Sequence, residues 1–363
     1  SSSYSRVQTP YRLPNCHVKP LFGVFILIEK RDKKMKEALK NLPKVELHLH
    51  LDGSISLDLA SRLSGYSKEE LERKMIAPDK CENLSEYLTK FDFAISLMQT
   101  RENLFLIAKD LVSRLAEEKV IYAEIRFAPM FHTKNGLTME EVVEAVLAGI
   151  HEYPAVRTNL ILCMMRGMGR AENLKTLLLA EKYLNRGVCA LDLAGAEDKY
   201  PIDDYLFLFE EARRKNIPFT IHAGEQGGAD EVYQAILAGA SRIGHGIHAI
   251  SDSKVLSLLQ KRNILLEVCP TSNVQTNAIL DYASHPIDKL YQSGILVHVN
   301  TDNATVSNIS LTGEYLKLVS FFAFTLEDFQ KMNREAILHS FISSSEKQEL
   351  LKILENGFPN KVI

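Results

Sequence analysis

Val45-Glu46-Leu47-His48-Leu49-His50-Leu51-Asp52-Gly53 is the stretch on which the fold turns. It begins as a strand, and the residues at the strand's end separate two α/β architectures. An open doubly wound sheet normally places a glycine-rich phosphate loop after its first strand. Here that place holds His48-Leu49-His50, and no G-x-G-x-x-G opens a helix. Working outward, seven more short apolar or β-branched runs read as strands: Val120–Phe127, Leu160–Met165, Val188–Leu193, Pro218–His222, Arg242–His245, Ile264–Val268 and Ile295–Asn300. Several are apolar throughout, as strands of a parallel sheet buried on both faces are. Helical periodicity fills the gaps over Glu69–Met75, Leu84–Leu97, Asn103–Glu118, Met139–His151, Ala171–Asn185, Ile202–Lys215, Ala229–Ala238, Lys254–Lys261 and Pro286–Gln292. Eight strands alternating with helices predict one (β/α)₈ barrel, complete by Asn303, with Leu311–Val319, Leu326–Ser340 and Glu346–Leu354 as helices on its outside.

The composition agrees with a single large soluble domain. The 363 residues are 46% apolar and 25% charged, and 43 Lys and Arg against 46 Asp and Glu leave a net charge of −3. That near-balance removes the broad attraction to phosphate on which nonspecific nucleic-acid binding depends. The longest apolar run, Leu21–Ile28, is far short of the roughly 20 residues a bilayer requires. Five scattered cysteines without a C-x-x-C pair argue against a disulfide framework and a zinc finger, and make the cytoplasm the expected compartment. Residues 1–34 carry Pro10, Pro14 and Pro20 and no amphipathic period. They read as a non-native or leader extension outside the fold, with residues 35–363 as the domain.

The residues able to do chemistry fall at one end of the expected strands. Alternation along a strand points His48 and His50 to the same face, so both imidazoles can reach one metal ion. His222 ends the fifth strand and is followed by Ala223-Gly224-Glu225. His245 ends the sixth between Gly244 and Gly246, and Asp302 follows the eighth. In barrels the C-terminal strand ends carry the active site. Three imidazoles and one carboxylate suit Zn²⁺, whereas Mg²⁺ and Ca²⁺ favour oxygen-rich sets. Such a site can hold a water and lower its pKa toward about 7. Glu225 and His245 then remain free for proton transfer and for holding the nucleophile.

Pro43 to Ser54, Asp192-Leu193-Ala194-Gly195, His222-Ala223-Gly224-Glu225, Gly244-His245-Gly246 and Asn300-Thr301-Asp302-Asn303 occur together and in order. With them the chain resembles the adenosine deaminase family of metal-dependent amidohydrolases from about Leu42 to Leu354. The resemblance implies one zinc ion per chain, held by His48, His50, His222 and Asp302, and hydrolytic deamination of adenosine, and of 2′-deoxyadenosine, to inosine and ammonia in purine salvage. By the same resemblance Glu225 passes a proton to purine N1, and His245 orients and helps deprotonate the attacking hydroxide. Asp52 grips the ribose 5′-hydroxyl with His50 nearby, the Gly195 backbone meets N3, and Asn303 meets N7. Leu84, Tyr87, Leu88 and Phe91, at helical spacing, match an apolar lid over the pocket mouth.

Two positions depart from the family pattern. Asn303 stands where many members carry a second aspartate, and Ala196-Glu197 follows Gly195 where many have Asp-Glu. Both bear on purine recognition and neither on the zinc ligands. A deaminase of adenine or of an N6-substituted adenine nucleotide is the near alternative, and a catalytically silent binding barrel the remote one. The expected partner is a free purine nucleoside, with neither nucleic acid nor membrane. The other zinc deaminase plan, H-x-E with P-C-x-x-C, used on flipped-out bases, is absent.

Overall fold

The structure, a computed structural model, describes residues 33–358. Eight strands appear in it: β1 (Lys44–His50), β2 (Val120–Phe127), β3 (Arg157–Met165), β4 (Val188–Ala194), β5 (Thr220–Ala223), β6 (Arg242–His245), β7 (Leu265–Val268) and β8 (Leu296–Val299). They pair in parallel in the orders β1-β2-β3-β4 and β5-β6-β7-β8. Two seams close them into a barrel. Leu191 N–H donates to Pro218 O at 2.9 Å, joining β4 to the start of β5. His50 N–H donates to Asp302 O at 2.7 Å and Asp302 N–H to His48 O at 2.9 Å, joining the end of β8 to β1. The second seam fixes the backbones of three chemistry-bearing residues to one another.

Capping residues start the surrounding helices where the periodicity begins. Thr138, Thr325 and Ser343 each accept from a backbone N–H three residues on, and Glu141, Asp328 and Glu346 return the bond. The helix Leu326–His339 packs against β1, β7 and β8. It therefore completes the ring of barrel helices, so the barrel does not end at Asn303 as the sequence reading expects. Helices Leu57–Ser64 and Pro270–Gln275 are additional to those expected.

The barrel interior departs furthest from the expectation of strands that are apolar throughout. Arg126 on β2 bonds to Asp192 on β4 and Glu267 on β7, and Arg242 on β6 bonds to Glu267 and to Glu124 on β2. These strands are not neighbours, apart from β6 and β7, so the side chains meet across the barrel's inside. All five are fully buried, and charge replaces the branched aliphatic layers common in such barrels. The leader assigned to residues 1–34 lies outside the described residues except for Lys33 and Lys34, which open a helical stretch over 33–41. Leu39 and Leu42 are buried there, and Lys44 Nζ donates to the carbonyls of Lys40, Leu42 and Glu118.

Candidate active site

The C-terminal strand ends open into a cavity of about 560 Å³, within the range of small-molecule sites. His50, Asp52, Gly195, His222, Glu225, His245, Asp302 and Asn303 line it, as do Leu84, Tyr87, Leu88 and Phe91. His48 lies just beneath, fully buried. All the site residues expected from the sequence thus converge on one cavity.

The imidazoles and the carboxylate crowd one point. His50 Nε2 lies 3.3 Å from His222 Nε2 and 3.4 Å from Asp302 Oδ1, and His48 Nε2 lies 3.5 Å from the same oxygen. Four ligand atoms about 2.0–2.1 Å from a tetrahedral ion stand about 3.3–3.4 Å apart, so these spacings fit zinc. His48 Nε2 is buried and has no hydrogen-bond partner, as a nitrogen reserved for an ion is. Its other nitrogen, Nδ1, donates to Glu267 Oε2 at 2.8 Å. His222 Nδ1 lies 2.9 Å from Asp192 Oδ2, close but off the line of a good hydrogen bond. Carboxylates behind ligand imidazoles set their tautomer and raise their basicity. Burial, with Arg126 nearby, holds the His48 ring down to about 4, hence neutral and able to ligate. Burial would raise Asp302, but the imidazoles of His48, His50 and His245 hold it well below the usual carboxylate range. His245 also offers a nitrogen within 4.8 Å of His48, His222 and Asp302, so His50 and His245 compete for the fourth place.

Glu225 is buried, and that burial raises its pKa against the opposing pull of His245 and His222. Its backbone is held by Glu197, which the sequence reading named only beside the departure at Ala196 and gave no role of its own. Glu197 Oε1 accepts from Gly224 N–H at 2.5 Å, and Glu197 Oε2 from Glu225 and Gln226 N–H at 3.0 and 2.9 Å. The Glu225 carboxyl has two different oxygens. Oε1 accepts from Thr276 Oγ1–H at 3.0 Å and faces Asn273 Nδ2 at 3.5 Å; Oε2 lies 3.6 Å from His245 Nε2. Asp52 is buried with Oδ1 unpaired, and burial pushes its pKa up to about 7.

The apolar helix expected over Leu84–Leu97 is broken into Leu84–Leu88 and Phe91–Leu97. Thr89 N–H and Lys90 N–H bond only three residues back, and Thr89 Oγ1–H takes Glu86 O, tightening the turn between them. Leu84 and Tyr87 still pack with Ala77, Cys81 and Val306 in a cluster apart from the main core, with Leu88 and Phe91 against it. Tyr87 is less apolar than the stripe suggests, because its hydroxyl contacts Ser307 Oγ at 2.7 Å and accepts from Asn303 Nδ2 at 3.1 Å.

Sequence reasoning missed Arg126, Asp192, Glu197, Glu267, Asn273 and Thr276 as parts of the site. For Arg126, Asp192 and Glu267 the signal was faint, a charged residue inside an apolar strand where the hydrophobic effect alone would not put it, and Glu197, Asn273 and Thr276 lie in polar stretches that carry no such signal. The adenosine deaminase family profile matches residues 43–356. An adenosine deaminase of Enterococcus faecalis is 37% identical over 330 residues, covering 88% of this chain and 98% of its own length. Among solved structures, an adenine deaminase from Arthrobacter aurescens superposes with a TM-score of 0.78 at 27% identity, covering 87% of this chain and 98% of its own. An Arabidopsis N6-mAMP deaminase gives 0.79 at 26%, covering 88% and 99%. With the profile spanning nearly the whole barrel and every motif at the cavity, the chain belongs to the adenosine deaminase family.

Proposed function

We infer that the chain is a zinc-dependent enzyme that hydrolyses adenosine, and 2′-deoxyadenosine, to inosine and ammonia. One observation carries this reading: a buried carboxyl, Glu225, and an imidazole, His245, face each other beside the His48, His50, His222 and Asp302 cluster in one cavity. These four residues would hold the zinc. When bound, zinc lowers the pKa of a water toward about 7 and so supplies a nucleophile at neutral pH.

Burial raises the Glu225 carboxyl and so favours the protonated form, which donates to purine N1 and opens C6 to attack. Thr276 O–H and Asn273 N–H face Oε1, which leaves Oε2 free to carry the transferable proton toward the substrate. His245 orients the attacking oxygen. The unpaired Asp52 Oδ1 accepts from the ribose 5′-hydroxyl, satisfying a buried acceptor. A 5′-phosphate would set its charge against a buried carboxyl whose own ionised form burial already disfavours. Gly195, at φ 106°, holds a backbone conformation that side chains rarely adopt, and presents its backbone to N3. Asn303 keeps one N–H for N7 while the other is taken by Tyr87. The described cysteines are free and buried, which fits a reducing compartment and supports a cytoplasmic location. No helix among the described residues is long and apolar enough to cross a membrane.

The test is to follow loss of absorbance with adenosine, 2′-deoxyadenosine, adenine, AMP and N6-methyl-AMP. Adenosine should give a kcat/KM far above those of adenine and both nucleotides. A preference for adenine or for N6-methyl-AMP would move the enzyme to the activities named for its structural neighbours.

A further inference from the structure

The helix Pro270–Gln275 lies behind the catalytic pair and carries Asn273, which is fully buried. Three side chains and one backbone amide form a line through it. Ile287 N–H donates to His285 Nδ1 at 3.2 Å. His285 Nε2 lies 3.3 Å from Asn273 Oδ1, and Asn273 Nδ2 lies 3.0 Å from His245 Nδ1.

Imidazole tautomers and amide orientations are ambiguous when each is judged alone. Here the line has a fixed end. A backbone N–H can only donate, so His285 Nδ1 must accept, and the ring carries its hydrogen on Nε2. That N–H needs an acceptor, which orients the Asn273 amide with Oδ1 toward His285. The opposite end of the amide is then a donor, so His245 Nδ1 must accept as well. A neutral His245 therefore carries its hydrogen on Nε2, the nitrogen that faces the cavity. Burial keeps His285 neutral, holding it down to about 3, so the line does not reverse at working pH.

We propose that Asn273, oriented by His285, is a positioning residue that locks His245 as the Nε2–H tautomer. His245 accordingly meets the nucleophilic oxygen as a hydrogen-bond donor, and Nε2 has no lone pair with which to take its proton. This rests on the deaminase reading and narrows the role of His245 from orienting and deprotonating to orienting alone. It also settles the competition for the fourth ligand place. The only lone pair of His245 is engaged by Asn273, whereas His50 Nε2 stands against His222 and Asp302, so His50 completes the zinc set.

The experiment reads the tautomer directly, by ¹⁵N resonances of the histidine rings in zinc-loaded protein labelled only at histidine. His245 is assigned by the signals lost in His245→Gln. The expected wild-type pattern is a bare, pyridine-like Nδ1 and a protonated, pyrrole-like Nε2. Asn273→Asp keeps the shape but replaces the donor by an acceptor. It should move the His245 hydrogen to Nδ1, leave His285 unchanged, and lower kcat by about 100-fold with KM within about threefold. A protonated Nδ1 in wild type, in the neutral or the cationic ring, overturns the proposal whatever the variant does. An Asn273→Asp protein with unaltered tautomer and kcat overturns it too. Inactivity toward every purine would instead strike the deaminase reading, and the wild-type ¹⁵N pattern would still decide the tautomer.

Discussion

His245 and Asp302 both sit in the left-handed region, at φ 60° and 61°. Apart from glycine, residues seldom stay there without compensation, although aspartate and histidine are among those that tolerate it best, and a buried side chain at such an angle is held by the structure around it. The compensation at His245 comes from both sides: Gly246, itself at φ 68°, turns the chain away, while Gly244 leaves room for the ligand rings. A Cβ on Gly244 would stand 2.9 Å from His48 Cε1 and 3.2 Å from His222 Cα. His48 cannot retreat, because its Nδ1 is tied to Glu267. Gly244→Ala should therefore displace a zinc ligand with little change in bulk. We expect zinc affinity, measured by chelator competition, to fall about 10- to 100-fold, with secondary structure kept. Unchanged affinity would mean that the two rings yield without cost.

Helices frame the site from outside, and one of them carries a carboxyl that titrates near physiological pH. Glu314, in the first turn of Leu311–Phe322, accepts from Thr271 N–H at 3.0 Å and Tyr282 O–H at 3.2 Å. Burial raises its pKa to about 7 against the pull of these bonds and of Lys317. The folded value lies above the unfolded one, so the stability it contributes is full at acid pH and fades as pH rises through about 7. Glu314→Gln keeps the shape without the charge. It should match wild type near pH 5 and exceed it by on the order of 1–3 kcal/mol near pH 8.5, read as a thermal midpoint several degrees higher. Equal midpoints at both pH values would show that Glu314 stays uncharged throughout.

At this scale the sequence was most legible where a local signal suffices. Strand ends at His50, Phe127 and His245 fall where turn chemistry puts them, and the helix at Met139 begins at its capping box. The break at Thr89-Lys90 was hidden, because the apolar spacing of Leu84 to Phe91 runs on across it and the local bonds that tighten the turn leave no mark in that spacing. His48, His50 and His245 were legible as site residues because H-x-H and G-H-G are short patterns at strand ends. Asn273 and Glu197 were not, since each acts through a residue far away in the chain, and one sequence does not show which polar residue will meet which.

Across the whole barrel, the charged residues buried inside the strands form one connected structure. Tyr122 O–H and Phe341 N–H donate to Glu124 Oε1, and Arg242 reaches from Glu124 Oε2 to Glu267 Oε1. Arg126 then spans Glu267 Oε2 at 2.8 Å and Asp192 Oδ2 at 2.9 Å, the carboxylates behind His48 and His222. The barrel interior is thus a chain of alternating charge running to the carboxylates that contact His48 and His222. Burial should raise Glu267 and Asp192, yet the neighbouring cations, the Arg126 guanidinium among them, hold both well below the usual range. Arg126→Met, close in volume, removes the shared cation and leaves two buried carboxylates short of charge. Breaking one side of a buried pair costs about 3–5 kcal/mol, so the zinc-loaded variant should melt well below wild type. The carboxylates would regain protons, and a neutral acid behind His48 no longer demands its Nδ1–H. Zinc affinity should therefore fall about 10- to 100-fold in protein that remains folded below its midpoint. Stripping zinc with a chelator then separates the two effects. Wild type should lose roughly 3 kcal/mol of stability at a metal concentration about 100 times its dissociation constant, whereas Arg126→Met should lose less, because it had less binding to give up. Equal losses on chelation, with the variant still less stable, would make the arginine a strut of the barrel with no hold on the metal.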